Sequence, residues 1–328
     1  MLKVQRLRIT QIPFHRTVKM APKRGFEKTV FIASAILLES FLLQLQRLRY
    51  LPKNGTIVKV NNSKMLLFPK NGAIHKDLFL NRKREIMATD YLIGSGVIKK
   101  GDVVLDVGAN IGYYVLIESQ LVGANGKVYA VEPVQDNREL LKKNLQLNNV
   151  KNVDTFQLAF GECNEESEIY VSSSCNLSSM NKNTAGGKII GVQCITKETV
   201  DTFLKNKPLP SFIRMDVEGY EYEIFKGMTQ TLKGDLKILV ELHANLLHEK
   251  IGEIFKILIQ NNFKVRFAAF EGKGKQNKVV DYLWQKGGIE PPTLNFAVEN
   301  VSIKKFQKIM KDHPNSYPNV LFEKQNGQ

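Results

Sequence analysis

The sequence predicts an α/β protein built on a mostly parallel sheet with helices on both faces, and three observations predict it. Short apolar runs recur through the centre of the chain, at Val103–Leu105, Val128–Val131, Val153–Phe160, Phe212–Met215 and Leu236–Leu242. The stretches between several of them are amphipathic and long enough for helices, the alternation that builds parallel sheets. The first run enters an acid and glycine turn, Asp106-Val-Gly108-Ala109-Asn110-Ile-Gly112. Ionisable residues stand at the ends of the runs: Asp106, Glu132, Asp216, Glu218, Glu241 and His243. In an open parallel sheet the carboxyl ends of the strands are where ligands bind.

Taken in order, residues 1–55 read as a basic extension. Residues 1–50 carry ten Lys and Arg against Glu27 and Glu39 alone, which supplies more than half of the net charge of +15. Met20 is a second plausible start. Phe26–Tyr50 has the spacing of a single amphipathic helix, and Glu39, Ser40 and Gln44 interrupt its apolar run short of the ~18 residues of a spanning helix. Such a segment suits a peripheral helix packed on the main domain or, as the alternative, one lying on a membrane surface, and the charge of the extension suggests attraction to an anionic surface, membrane lipid or nucleic acid. Residues 56–100 read as a hairpin, Thr56–Val60 and Met65–Phe68 about an Asn-Asn-Ser turn, then one lead-in helix over 75–98 carrying Glu85 and Tyr91.

Residues 101–268 hold the repeating strand and helix pattern. Its helices are expected at Ile111–Val122, Asp136–Asn148 and Tyr220–Leu232. Phe263–Phe267 is a further apolar run. Residues 269–328 read as an elaboration completing the sheet: a basic loop at 271–278, Gly-Gly and Pro-Pro pairs within 287–295, a short helix at Val301–Lys311 and a last strand at Asn319–Phe322. Three cysteines, Cys163, Cys175 and Cys194, form no C-x-x-C pair, and five histidines are scattered. No disulfide framework or zinc site is legible, so a reducing, cytoplasmic setting is expected, with membrane association through the basic extension.

The turn after the first strand narrows the ligand. A dinucleotide fold reads G-x-G-x-x-G, so that helix amides reach a pyrophosphate. Here position 110 is Asn, and Asp106 at the strand end would repel phosphate. An acid there suits a cationic ligand such as S-adenosylmethionine (SAM), and Glu132, some ~20 residues beyond the turn, is placed for ribose hydroxyls. The blander reading is a tight turn that binds nothing, with Glu132 capping the next helix.

The ordered series DVGANIGYY at 106–114, Glu132-Pro133, and Met215-Asp-Val-Glu-Gly-Tyr-Glu221 resembles the FkbM family of SAM-dependent methyltransferases. Phe225-Lys-Gly227-Met and Glu241-Leu-His243 extend the likeness, which spans roughly residues 76–268. Arg214 stands where the family usually has Lys. The resemblance implies a Rossmann-like class I methyltransferase fold, with a mostly parallel seven-stranded sheet and helices on both faces, preceded here by the helical and hairpin extension. It implies that Asp106, Gly108, Ala109, Asn110 and Gly112 line the methionine end of SAM, that Tyr113 packs beside it, that Glu132 holds the ribose and that Ala159 faces the adenine. Tyr113 and Tyr114 each also fit a plain core role.

Asp216, Glu218 and His243 are the catalytic candidates. Methyl transfer to a hydroxyl is an in-line displacement, and the hydroxyl must lose its proton to a carboxylate or imidazole, or be acidified by a divalent metal on oxygen ligands. Gly219 leaves the relative orientation of Asp216 and Glu218 open. Glu218 also fits a helix N-terminal acid, His243 a hydrogen-bonded structural histidine, and Glu221 and Glu223 helix surface or support. The resemblance implies O-methylation of a small hydroxylated acceptor, a sugar or glycoconjugate, and the basic N-terminus would fit a lipid-linked one. A nucleic-acid methyltransferase is the alternative that the charge suggests. It lacks support at residues 216–219, which read Asp-Val-Glu-Gly rather than Asn/Asp-Pro-Pro-aromatic. A non-catalytic protein that keeps the fold is the third reading.

Overall fold

The computed structural model describes residues 54–173, 177–183, 185–271, 296–313 and 316–325. The expected N-terminal helix at 26–50, the basic loop at 272–278, the glycine and proline pairs at 287–295, and Cys175 lie outside the described residues. Among the described residues no helix is long and apolar enough to cross a membrane.

The chain opens with a hairpin of β1 (Thr56–Val60) and β2 (Ser63–Leu67), paired from Thr56 with Leu67 to Val60 with Ser63. The turn is shorter than the sequence suggests, because Asn61 adopts a left-handed conformation (φ 50°) that a two-residue turn accepts from Asn. The expected single lead-in helix is two, α1 (Ala73–Asn81) and α2 (Ile86–Gly94). Arg82 (φ 61°) and Glu85 (φ 43°) turn the chain between them without any Gly or Pro to mark the break.

Then β3 (Val103–Val107), α3 (Tyr113–Val122), β4 (Lys127–Val131), α4 (Gln135–Leu147) and β5 (Val153–Phe156) follow in alternation. The expected third strand, Val153–Phe160, breaks after Phe156. Its last two residues form β6 (Ala159–Phe160), which joins β7 (Glu165–Ser172) and β8 (Ile189–Glu198) in a separate three-stranded sheet. After α5 (Val200–Leu204), the chain returns to the main sheet as β9 (Phe212–Met215), with α6 (Glu221–Lys226) and β10 (Lys237–Glu241) behind it. It ends with α7 (Ala244–Leu247), α8 (Lys250–Gln260), β11 (Phe263–Phe270), β12 (Phe296–Val301), α9 (Ile303–Asp312) and β13 (Asn319–Lys324).

The main sheet runs β12-β11-β13-β10-β9-β3-β4-β5. From β5 to β10 the pairings are parallel, whereas β13 is antiparallel to both β10 and β11. This is the seven-stranded, mostly parallel arrangement with β12 added antiparallel at the edge. The central strands are apolar on both faces because helices cover both. Leu105 and Val107 of β3 enter one core cluster and Val104 the other, and Ile238 and Val240 of β10 are likewise separated from Leu239. Each such side chain, once fully buried, stabilises the fold by about 1.5–3 kcal/mol.

Strand order reverses between β3 and β9, which are neighbours, so the chain leaves their carboxyl ends in opposite directions. That divergence opens a crevice above Val107 and Met215. The β1–β2 hairpin buttresses one side of it. Its edge amides at Lys64 and Leu66 donate to Asn148 Oδ1 (2.8 Å) and Asn144 Oδ1 (2.7 Å), while Asn144 Nδ2 donates to the Ile111 carbonyl (2.9 Å) in the turn after β3.

Candidate functional site

A cavity of about 410 Å³ fills the crevice. That volume lies in the range of small-molecule sites. One wall is the turn after β3. Gly108 has φ 83°, and a Cβ there would lie 1.9 Å from the Asp216 carbonyl oxygen, so only glycine lets the turn meet the end of β9. Every amide from Gly108 to Gly112 is used inside the protein: two donate to the Val131 carbonyl, Asn110 to Glu132 Oε2 (2.7 Å), Ile111 to Asn110 Oδ1 and Gly112 to the Ala109 carbonyl. None of the five amides is free for a pyrophosphate, which requires such donors.

Glu132 stands at the end of β4, 4% exposed. Its carboxylate accepts from the amides of Asn110 and Val134 (2.9 Å) and from Asn137 Nδ2 (3.3 Å). Burial pushes its pKa up to about 7, against the pull of those hydrogen bonds. Ala159 lies on the same wall beside Leu158 and Phe160, although it starts β6 rather than ending a strand of the main sheet.

The other end of the cavity gathers Asp216, Glu218, Glu241 and His243. Asp216 and Glu218 share it for a reason the sequence left open. The strand stops at Met215, and Glu218 takes a left-handed conformation (φ 50°) before Gly219 (φ 92°). That backbone costs on the order of 1–3 kcal/mol at a non-glycine residue, and such strain collects at functional sites. His243 is 4% exposed, with Nδ1 2.6 Å from Glu221 Oε1 and Nε2 3.4 Å from Glu218 Oε2. Burial works against its charged form, but the hydrogen bond and charge of Glu221 win and hold its pKa well above the usual histidine value. Burial raises Glu218 to about 8 and puts Glu241 well above the ordinary carboxylate range.

The structure thus brings Gly108, Ala109, Asn110, Tyr113, Glu132, Ala159, Asp216, Glu218 and His243 to one cavity. Two expected residues stand behind its wall. Asp106 is fully buried and ion-paired to Arg214 (3.2 Å), so it presents no carboxylate to a ligand. Burial pushes its pKa up, and the Arg214 charge opposes the shift. The attraction of this acid for a cationic ligand, expected from the sequence, is therefore absorbed by Arg214. Gly112 (φ 92°) serves packing: a Cβ there would lie 2.5 Å from Leu141 Cδ1 of α4.

Four residues that sequence reasoning passed over shape the site. Arg214 joins Asp106 to Asp216 (3.0 Å) and lies 3.9 Å over the Tyr114 ring. Burial also acts on Asp216, but Arg214, His243 and Arg84 hold its carboxyl below the usual value. Glu221 is fully buried against His243, the supporting role rather than the surface one of the two that the sequence offered. Arg84 and Glu85 reach the cavity from the break between α1 and α2, where Glu85 accepts from Tyr114 OH (2.7 Å) and the Tyr113 hydroxyl receives the Arg84 amide (3.1 Å). The residues of the DVEGYE string carried a signal for Glu221 in their third acid. Arg84 and Glu85 had none, because the chain that holds them lies outside the repeating pattern.

Residues 106–265 match the Methyltransferase FkbM domain. A hexuronic acid methyltransferase, AglP, of Haloferax volcanii is 28% identical over 149 residues, which are 45% of this chain and 59% of that protein. The protein-L-isoaspartate O-methyltransferase of Ignicoccus hospitalis is 32% identical over 63 residues, 19% of this chain and 30% of that protein. The chain therefore spans less than two thirds of either relative. A methyltransferase FkbM structure from Methylobacillus flagellatus overlays 55% of this chain and 44% of its own, at 17% identity and a TM-score of 0.41.

Proposed function

Because the chain belongs to the FkbM methyltransferase family, we propose that it is a SAM-dependent O-methyltransferase acting on a hydroxyl of a sugar or glycoconjugate. The observation that carries this reading is a single cavity with the preset Glu132 carboxylate at one end and the Asp216, Glu218, Glu241 and His243 cluster at the other. The residues fit SAM. Glu132 is buried and aimed by three donors at the place of ribose hydroxyls, apolar Leu158, Ala159 and Phe160 suit a flat base, and the amides of the 108–112 turn are already satisfied.

When bound, SAM supplies an electrophilic methyl group on its sulfonium. The protein's own part is to hold the acceptor oxygen in line and to receive its proton. Glu218, whose Oε2 lies 3.4 Å from His243 Nε2, is the carboxylate that takes that proton, and the buried Glu221 orients the imidazole. Tyr113 and Tyr114 bound the cavity as fixed walls, their hydroxyls tied to Arg84, Thr89 and Glu85. The Haloferax relative is named for a hexuronic acid, so acidic sugars are the first acceptors to test, with Arg84 as the cationic side chain on the wall. If the acceptor is lipid-linked, the basic residues of 1–50 would draw the protein to it. Co-sedimentation of the full chain with anionic vesicles is then expected, and its loss on deletion of residues 1–50.

The test is calorimetric titration of the full chain with SAM and with NADH, followed by transfer of labelled methyl from SAM to a panel of neutral and acidic glycans. Saturable SAM binding, weakened at least tenfold in Glu132→Gln, and labelled glycan are expected. Folded protein that does not bind SAM would overturn the reading.

A further inference from the structure

We propose that Asp216, Glu241 and His243 form a binding site for a divalent cation at the acceptor end of the cavity. Each offers one ligand atom, two carboxylate oxygens and one imidazole nitrogen, and these atoms all lie within 4.8 Å of one another. Ligands held about 2.1 Å from a common ion stand roughly 3–4 Å apart, so a small contraction closes the set.

Three further features of the site point to a cation. The first is Glu241. It lies half-buried on the cavity wall at the end of β10, and its side chain makes no hydrogen bond or ion pair with any described residue. A carboxylate in that position is open to a cation that enters the cavity. Second, His243 is buried, and Glu221, itself fully buried, holds its Nδ1. A carboxylate on the far ring nitrogen is the arrangement that orients metal-bound imidazoles. It leaves Nε2 as the atom offered toward Glu218. The third is charge. The carboxylates at this end are Asp106, Asp216, Glu85, Glu218, Glu221 and Glu241, against Arg84, Arg214 and His243. Arg214 is shared by two of the acids and Arg84 is paired with Glu85, so His243 alone is left to face Glu218, Glu221 and Glu241. A pocket with so many more acids than basic side chains suits a bound cation.

Two oxygens and one imidazole suit a hard or borderline ion such as Mn²⁺ or Mg²⁺. There it would orient and polarise the acceptor oxygen. This role rests on the methyltransferase reading, but ion binding itself is measured without it.

The experiment uses the full chain, stripped with chelator and dialysed, titrated with Mn²⁺ while the six-line resonance of free Mn²⁺ is followed. Stoichiometric loss of that signal is expected, with at least tenfold weaker binding in Glu241→Gln. Because Glu241 makes no hydrogen bond or ion pair among the described residues, the variant should unfold at the same denaturant concentration as the parent. His243→Asn is the second variant, with the same expected weakening. The proposal is overturned if the folded parent leaves the Mn²⁺ signal unchanged at millimolar concentration, or if Glu241→Gln and His243→Asn bind as the parent does. SAM titration of the same samples separates the two ideas. Mn²⁺ bound without SAM sinks the methyltransferase reading alone, and SAM bound without Mn²⁺ sinks the metal site alone.

Discussion

Arg214 illustrates how much a single side chain decides here. It is 4% exposed and sits between Asp106 and Asp216, so its removal would strand a fully buried carboxylate. Breaking a buried pair from one side costs about 3–5 kcal/mol. Arg214→Met is therefore expected to lower the unfolding free energy by about that amount in chemical denaturation, whereas Arg214→Lys, which keeps the charge, should lose less. Equal losses in both would show that the charge is not what matters. Glu132 makes a prediction of a different kind. Its pKa is raised to about 7, and the ionised form is the one that accepts ribose hydroxyls. SAM affinity should thus fall as the pH drops through about 7 and level off at higher pH. In Glu132→Gln the affinity should be low and flat across that window, as read by calorimetry at several pH values.

At the scale of elements, the junctions carry the site and the strands carry its foundation. The turn after β3 and the end of β9 touch through Gly108, where an added methyl group would overlap the Asp216 carbonyl and the backbone is left-handed as well. Gly108→Ala should force the two strand ends apart, lowering stability by a few kcal/mol, roughly the scale of overpacking plus backbone strain. It should weaken SAM binding in the protein that still folds. An unchanged denaturation midpoint would contradict that close approach. The same scale shows why some elements escaped the sequence. The break between α1 and α2 at residues 82–85 contains no glycine or proline, so an unbroken helix was the natural reading of its periodicity. The run Val153–Phe160 is apolar enough for one strand, yet its end pairs with β8, which starts almost thirty residues later. Pairing between distant segments leaves no local mark in composition.

Over the whole molecule, a buried neutral histidine sets an acid limit to stability. His75 is 5% exposed, its Nδ1 accepts from the Phe68 amide (3.3 Å), and burial lowers its pKa to about 4. Between pH 6.5 and 4 the unfolded chain binds a proton there that the folded chain does not, so acidification favours unfolding. The difference in unfolding free energy between the parent and His75→Gln should change only within that window and be constant above and below it. A difference that is flat from pH 7 to 4 would remove His75 as the cause. By itself the sequence determined the α/β class, the central strands and the turn after β3, because these depend on local apolar runs and on glycine at positions of forced backbone. It also marked Asp216, Glu218 and His243, since strand-end acids stand out against apolar strands. Only the tertiary structure decided that Asp106 faces Arg214 instead of the cavity, that Glu221 is buried against His243, and that Arg84 and Glu85 share its walls. The reason is that burial and charge pairing belong to residues far apart in the chain, and the order of strands in the sheet, not their sequence, sets who meets whom.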